Sequence, residues 1–139
     1  MRSPQGFVAL GLLAAFCAGC SKKIPEPDLA YHHSAQGVND KIQEIQPLLE
    51  EALGKSDFQF IHDYMFYLQG LLSALEPKLE GAQKERLDPV LKELIRLSHD
   101  LDATAGRRDE AATRTLLTRL FDHLKTLQNE FPRKKEPAG

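Results

Sequence analysis

Four stretches of this chain place apolar side chains alternately four and three residues apart. Val38, Ile42, Ile45, Leu49 and Ala52 form the first series, and Ile61, Met65, Leu68, Leu72, Leu75 and Leu79 the second. Leu87, Leu91, Leu94, Ser98 and Leu101 form the third, and Thr113, Leu117, Leu120, Leu124, Leu127 and Phe131 the fourth. This spacing keeps one narrow stripe on one side of an α-helix, the seam of a helix bundle. A strand would need strict alternation, and no such run or Asn-Gly hairpin signal occurs. The pattern predicts an all-α fold.

Punctuation residues divide the stripes into helices. The first is expected over Val38–Leu53, with Pro47 kinking or restarting it, because proline removes an internal hydrogen bond. Gly54 supplies its end. Ser56 is the expected N-cap of the second helix, with Gln59 completing a capping box. That helix runs toward Leu79, with Pro77 ending or bending it early and Gly81 marking the stop. The third begins near Gln83 or at Asp88, where Asp88–Pro89 makes a good start, and ends at "ATAG". The fourth runs from Arg107 to Phe131, with Asp109 and Glu110 complementing its N-terminal dipole. Short connections make neighbours antiparallel, so the expected architecture is an up-down-up-down four-helix bundle over residues 38–131. Three helices with a disordered first segment is the alternative that Pro47 leaves open.

The ends read differently. Residues 21–37 hold two prolines and no helical period, as a semi-rigid tether would. Residues 132–139, "PRKKEPAG", form a polar tail. At the start, Arg2 precedes an apolar run from Gly6 to Phe16, followed by the small residues Ala18 and Gly19 before Cys20. A charged beginning, a short apolar run and small residues describe a secretory signal. The run is shorter than the roughly 20 apolar residues of a membrane span.

The two cysteines, Cys17 and Cys20, stand C-x-x-C at the end of that run. A redox pair belongs at a helix start in a βαβ setting, and a structural zinc site needs further ligands. Neither context is present. The stretch "CAGC" instead resembles the lipobox of bacterial lipoproteins, with Ala18 and Gly19 at its small positions and Cys17 where that family more often has Leu. The resemblance implies that residues 1–19 are a signal peptide cut before Cys20. It implies that Cys20 then carries lipid and residues 20–37 become a lipid-anchored tether. Ser21, rather than Asp, implies the outer membrane, periplasm-facing, by likeness to Gram-negative lipoproteins. Several acyl chains anchor stably, since each buried CH₂ contributes roughly 0.8 kcal/mol.

Charge excludes some partners. Eighteen Lys and Arg against 20 Asp and Glu give a net charge of −2. A nucleic-acid binder shows a basic excess, so none is expected as partner. The expected partners are the membrane, through the anchor, and another protein.

Few residues carry chemistry. His32 and His33 lie in the tether. His62 falls at the edge of the second seam, three residues from Met65 and so on the same face. Laid antiparallel about a turn near residue 80, His62 comes level with residue 98. His99 faces outward, and His123 sits at the edge of the fourth helix. A His and a Met together offer a transition-metal or haem environment. In residue types, Met65 and His123 resemble the haem ligands of the soluble four-helix b-type cytochromes, though on different helices. Against this, Met at seam spacing is ordinary core. No helical histidine has Glu three residues before it, which excludes the di-iron pattern. No nucleophile elbow, phosphate loop or H-E-x-x-H occurs. Tyr64, Phe66 and Tyr67 flank the second seam as a candidate contact surface, unless the first helix or the tether covers them. The reading overall is a lipid-anchored helical module without enzymatic activity or cofactor. A haem- or metal-binding bundle using His62, Met65 or His123 is the alternative.

Overall fold

Pro47 divides the first helical arm in two. In this computed structural model, which describes residues 34–131, α1 spans Ala35–Gln43 and α2 spans Ile45–Gly54. Glu44 between them keeps near-helical dihedrals, φ −65° and ψ −18°. The break has a direct cause. Proline has no N–H to give the carbonyl four residues back, here Gln43, and its ring crowds that carbonyl.

The chain continues as α3 (Phe58–Leu75), a 3₁₀ turn at Glu76–Lys78, α4 (Gly81–Gly106) and α5 (Glu110–Asn129). All secondary structure among the described residues is helical, and the helices pack against one another. Every residue of the four expected seams is buried, from Val38 to Phe131.

Two turns share one construction. After α2, the Asp57 amide donates to the Ala52 carbonyl at 2.8 Å and the Ser56 amide to Leu53 at 3.1 Å. After α4, Asp109 donates to Thr104 at 2.9 Å and Arg108 to Ala105 at 3.0 Å. These paired bonds are the Schellman closure of a helix end. It requires a left-handed residue, and Ser56 and Arg108 take that place with φ of 54° and 56°. The next residue caps the following helix: Asp57 accepts from the Phe60 amide at 3.1 Å, and Asp109 from Ala112 at 3.2 Å. This corrects two expectations. Asp57, not Ser56, is the N-cap of α3, because Ser56 is needed left-handed to close α2. Residues 107–109 form the second turn, so α5 begins at Glu110 and not at Arg107.

The third helix takes the earlier of its two expected starts, near Gln83, and not Asp88. It starts at Gly81, whose φ of +58° suits a residue without Cβ. Pro89 therefore lies inside α4. The two turns before it are held by tertiary contacts: Leu87 is buried, Gln83 Nε2 donates to the Glu130 carbonyl at 3.1 Å, and Arg86 pairs with the Glu130 carboxylate at 3.0 Å.

Hydrogen bonds across the helices give their directions. Asn39 and Gln43 of α1 meet Gln128 and Leu124 of α5, in opposite chain order. Gln83 and Arg86 at the start of α4 meet Glu130 past the end of α5, while Thr104 near α4's end meets Thr113 near α5's start. His62 early in α3 meets Asp102 late in α4. Each of these pairs runs antiparallel. Helix α3 packs against α1, α2 and α4. That explains why it buries Tyr64, Tyr67, Leu71 and Ala74 beyond its expected seam.

Candidate functional site

The sequence-based candidates on α3 separate in space. His62 is half-buried, its side chain 39 % exposed. Its Nδ1 lies 2.6 Å from Asp102 Oδ1 and 3.0 Å from the Asp102 backbone carbonyl. Both partners only accept, so Nδ1 carries the proton, and in the neutral ring Nε2 is the bare nitrogen. Gly106 sits one turn further along α4, and a Cβ there would lie 3.4 Å from His62 Nδ1. The expected level, residue 98, is corrected to Asp102, one helical turn further. The connection shifts the register: Glu76–Lys78 rises as a 3₁₀ turn, about 2.0 Å per residue, and Leu79 and Glu80 are extended, about 3.3 Å per residue, against about 1.5 Å in an α-helix.

Met65 has no exposed surface and belongs to the core. His123 lies on another flank of α4: together with Arg119 it acts on Glu93, whose carboxyl is held below the usual range mainly by its hydrogen bond from Arg96. His62 thus meets α4 at Asp102, whereas the charge of His123 acts on α4 at the level of Glu93. No group of three or more His, Cys, Asp or Glu among the described residues is arranged to hold a metal ion. His99 is exposed on α4, as its position in the pattern implies.

Of the two alternatives for the aromatic residues, the structure takes the covered one for both tyrosines. Tyr64 and Tyr67 are each 6 % exposed, and Phe66 is 73 % exposed. The first arm covers the two tyrosines: α1 and α2 both pack on α3, and Glu44 between them acts electrostatically on both rings. Burial pushes both phenols above their ordinary range, with the Glu44 charge adding to it. Phe60, Tyr64 and Tyr67 form a run of rings, tilted at 4.9 Å and then edge-on at 5.3 Å between centroids. Only Phe66 of the three remains at the surface, and one exposed ring is ordinary.

Sequence reasoning missed a buried polar group on α1. Asn39 is fully buried; its Nδ2 donates to Gln128 Oε1 at 3.0 Å. Gln43 Nε2 donates to Asn39 Oδ1 at 3.1 Å and to the Leu124 carbonyl at 3.0 Å. The available signal was position: Asn39 directly follows Val38, beside the seam. At the opposite end of α5, Thr113 donates to Thr104 at 3.2 Å in a buried hydroxyl pair. Among the described residues, every buried side-chain nitrogen and oxygen has a hydrogen-bond partner.

Cys20, His32 and His33 lie outside the described residues, as do the expected signal peptide and most of the tether. Compared with known proteins, the chain matches no family model, no curated protein and no solved structure.

Proposed function

We propose that this chain is a lipid-anchored helical bundle of the bacterial cell envelope, attached through Cys20 and working by contact with a protein partner rather than by catalysis. One observation carries the reading: the apolar run Gly6–Phe16 ends in Ala18, Gly19 and Cys20, as in a lipoprotein signal. Ser21 favours the outer membrane, with the bundle facing the periplasm. Among the described residues no helix is long and apolar enough to cross a membrane. On this reading the membrane is reached through Cys20, which precedes the bundle in the chain.

The chemistry of the bundle supports a non-catalytic role. Its buried polar groups are engaged with one another: Asn39 with Gln128, Thr104 with Thr113, and Ser98 with the Ile95 carbonyl at 2.6 Å. The first two pairs join different helices and fix them in register, whereas the Ser98 bond stays within α4.

Mass spectrometry of the protein from bacterial membranes tests the anchor. The expected chain begins at Cys20 and carries acyl mass, and Cys20→Ala moves the protein out of the membrane fraction. A chain beginning at Met1, or an unmodified Cys20, overturns the reading.

A further inference from the structure

Helix α1 is joined to the bundle in a way that no other helix is. It has nine residues, below the roughly 12–15 at which an isolated helix becomes even marginal in water. It is helical only while docked. Its apolar hold is small: two fully buried side chains, Val38 and Ile42, and the partly buried Ala35. The rest of its hold is polar: Asn39 and Gln43 on one side, Gln128 and the Leu124 carbonyl on the other. Its covalent continuation is weakened as well, because Pro47 gives the Gln43 carbonyl no N–H. By contrast, α2 is fastened to α3 by the Schellman turn and the Asp57 cap.

We propose that α1 is a latch, undocking and redocking as a unit about Glu44 while α2 to α5 stay folded. The polar half of its hold suits repeated opening. When α1 leaves, Asn39, Gln43, Gln128 and the Leu124 carbonyl exchange their mutual hydrogen bonds for water, at a modest net cost for each bond. When α1 returns, an asparagine buried without its partners would be costly, so only the register that pairs Asn39 with Gln128 is accepted. Opening uncovers the part of α3 and α5 on which α1 packs. The inference rests on the described helices alone and stands apart from the anchoring reading.

Native-state hydrogen exchange of the purified protein tests it. The α1 amides from Asn39 to Gln43 are expected to exchange at one common rate, roughly 100-fold or more faster than those of Leu68–Leu72 and Leu94–Leu97. Low urea should raise that rate, with a slope well below that of global unfolding, because opening exposes only part of the surface that unfolding does. A cross-link supplies the control: Asn39→Cys with Gln128→Cys, in a chain whose Cys17 and Cys20 are changed to serine. Oxidation should slow α1 exchange toward that of α3, and reduction should restore it. If wild-type α1 exchanges only as slowly as the centres of α3 and α4, the latch does not exist. Rates that fall steadily from Ser34 inward mean fraying, and would equally overturn opening as a unit.

Discussion

Ser56 and Arg108 hold left-handed backbone, at φ 54° and 56°, where a side chain costs roughly 1–2 kcal/mol. Glycine relieves that strain but gives back part of the gain as unfolded-state entropy. Ser56→Gly and Arg108→Gly are each expected to stabilise the fold by about 0.5–1 kcal/mol, read as a higher urea midpoint. Asp57 and Asp109 follow as N-caps, and replacing either with Ala should cost about 1 kcal/mol in the same assay. The two turns read G-K-S-D and G-R-R-D in the chain. The glycine of each is the last helical residue and the left-handed place falls two residues later. Gly54 has open space around its Cβ direction. Gly54→Ala should therefore stabilise by roughly 0.5–1 kcal/mol, the usual helix preference for alanine. A raised midpoint for the glycine variants together with a lowered one for the aspartate variants would establish both turns.

At the scale of elements, two prolines have different effects. Pro47 falls early in α2, and the helix yields by breaking at Glu44. Pro89 falls inside α4, which continues around it because contacts on both sides hold the helix: Leu87 and Leu91 are buried, and Gln83 and Arg86 reach Glu130. Proline in a helix interior costs roughly 3 kcal/mol, and about 1 kcal/mol of that is returned by its stiff unfolded chain. Pro89→Ala should stabilise the protein by about 2 kcal/mol, visible as a higher melting temperature. The helices were legible from their seams. Their ends were not, since Asp88–Pro89 is a good local start that tertiary contact overrides. The candidate residues divide in the same way: the seam marked Met65 as core, whereas the covering of Tyr64 and Tyr67 depended on the first arm folding back onto α3.

For the whole molecule, stability follows from the shared core and from ionisation within it. Leu72 and Leu94 have no exposed surface, and truncating either to Ala should cost about 2–5 kcal/mol by equilibrium unfolding. Alkaline pH acts through Tyr64 and Tyr67. Burial raises both phenols above 10.0 in the folded state. The unfolded chain then releases these protons first, so their contribution is complete below pH about 10 and is lost as pH rises through the folded values. Unfolding free energy should fall above pH 10, and Tyr64→Phe with Tyr67→Phe should flatten that fall. An unchanged slope in the double variant would mean that other groups set the alkaline limit.

What this chain determined by sequence alone was which side chains go inside. Periodicity is a property of the backbone helix, so a stripe at four and three spacing is buried wherever its partner lies, and Val38 to Phe131 obey it. The sequence also carried the lipoprotein-like signal, through residue types in order. Which helix meets which, and at what level, was decided only in three dimensions. His62 meets Asp102 because the 3₁₀ turn and the extended Leu79 and Glu80 together set the offset of α3 against α4. Asn39 is buried because α5 brings Gln128 to it. A polar side chain goes inside only with a hydrogen-bond partner; Ser98 finds one in its own helix, whereas the partner of Asn39 lies far along the chain.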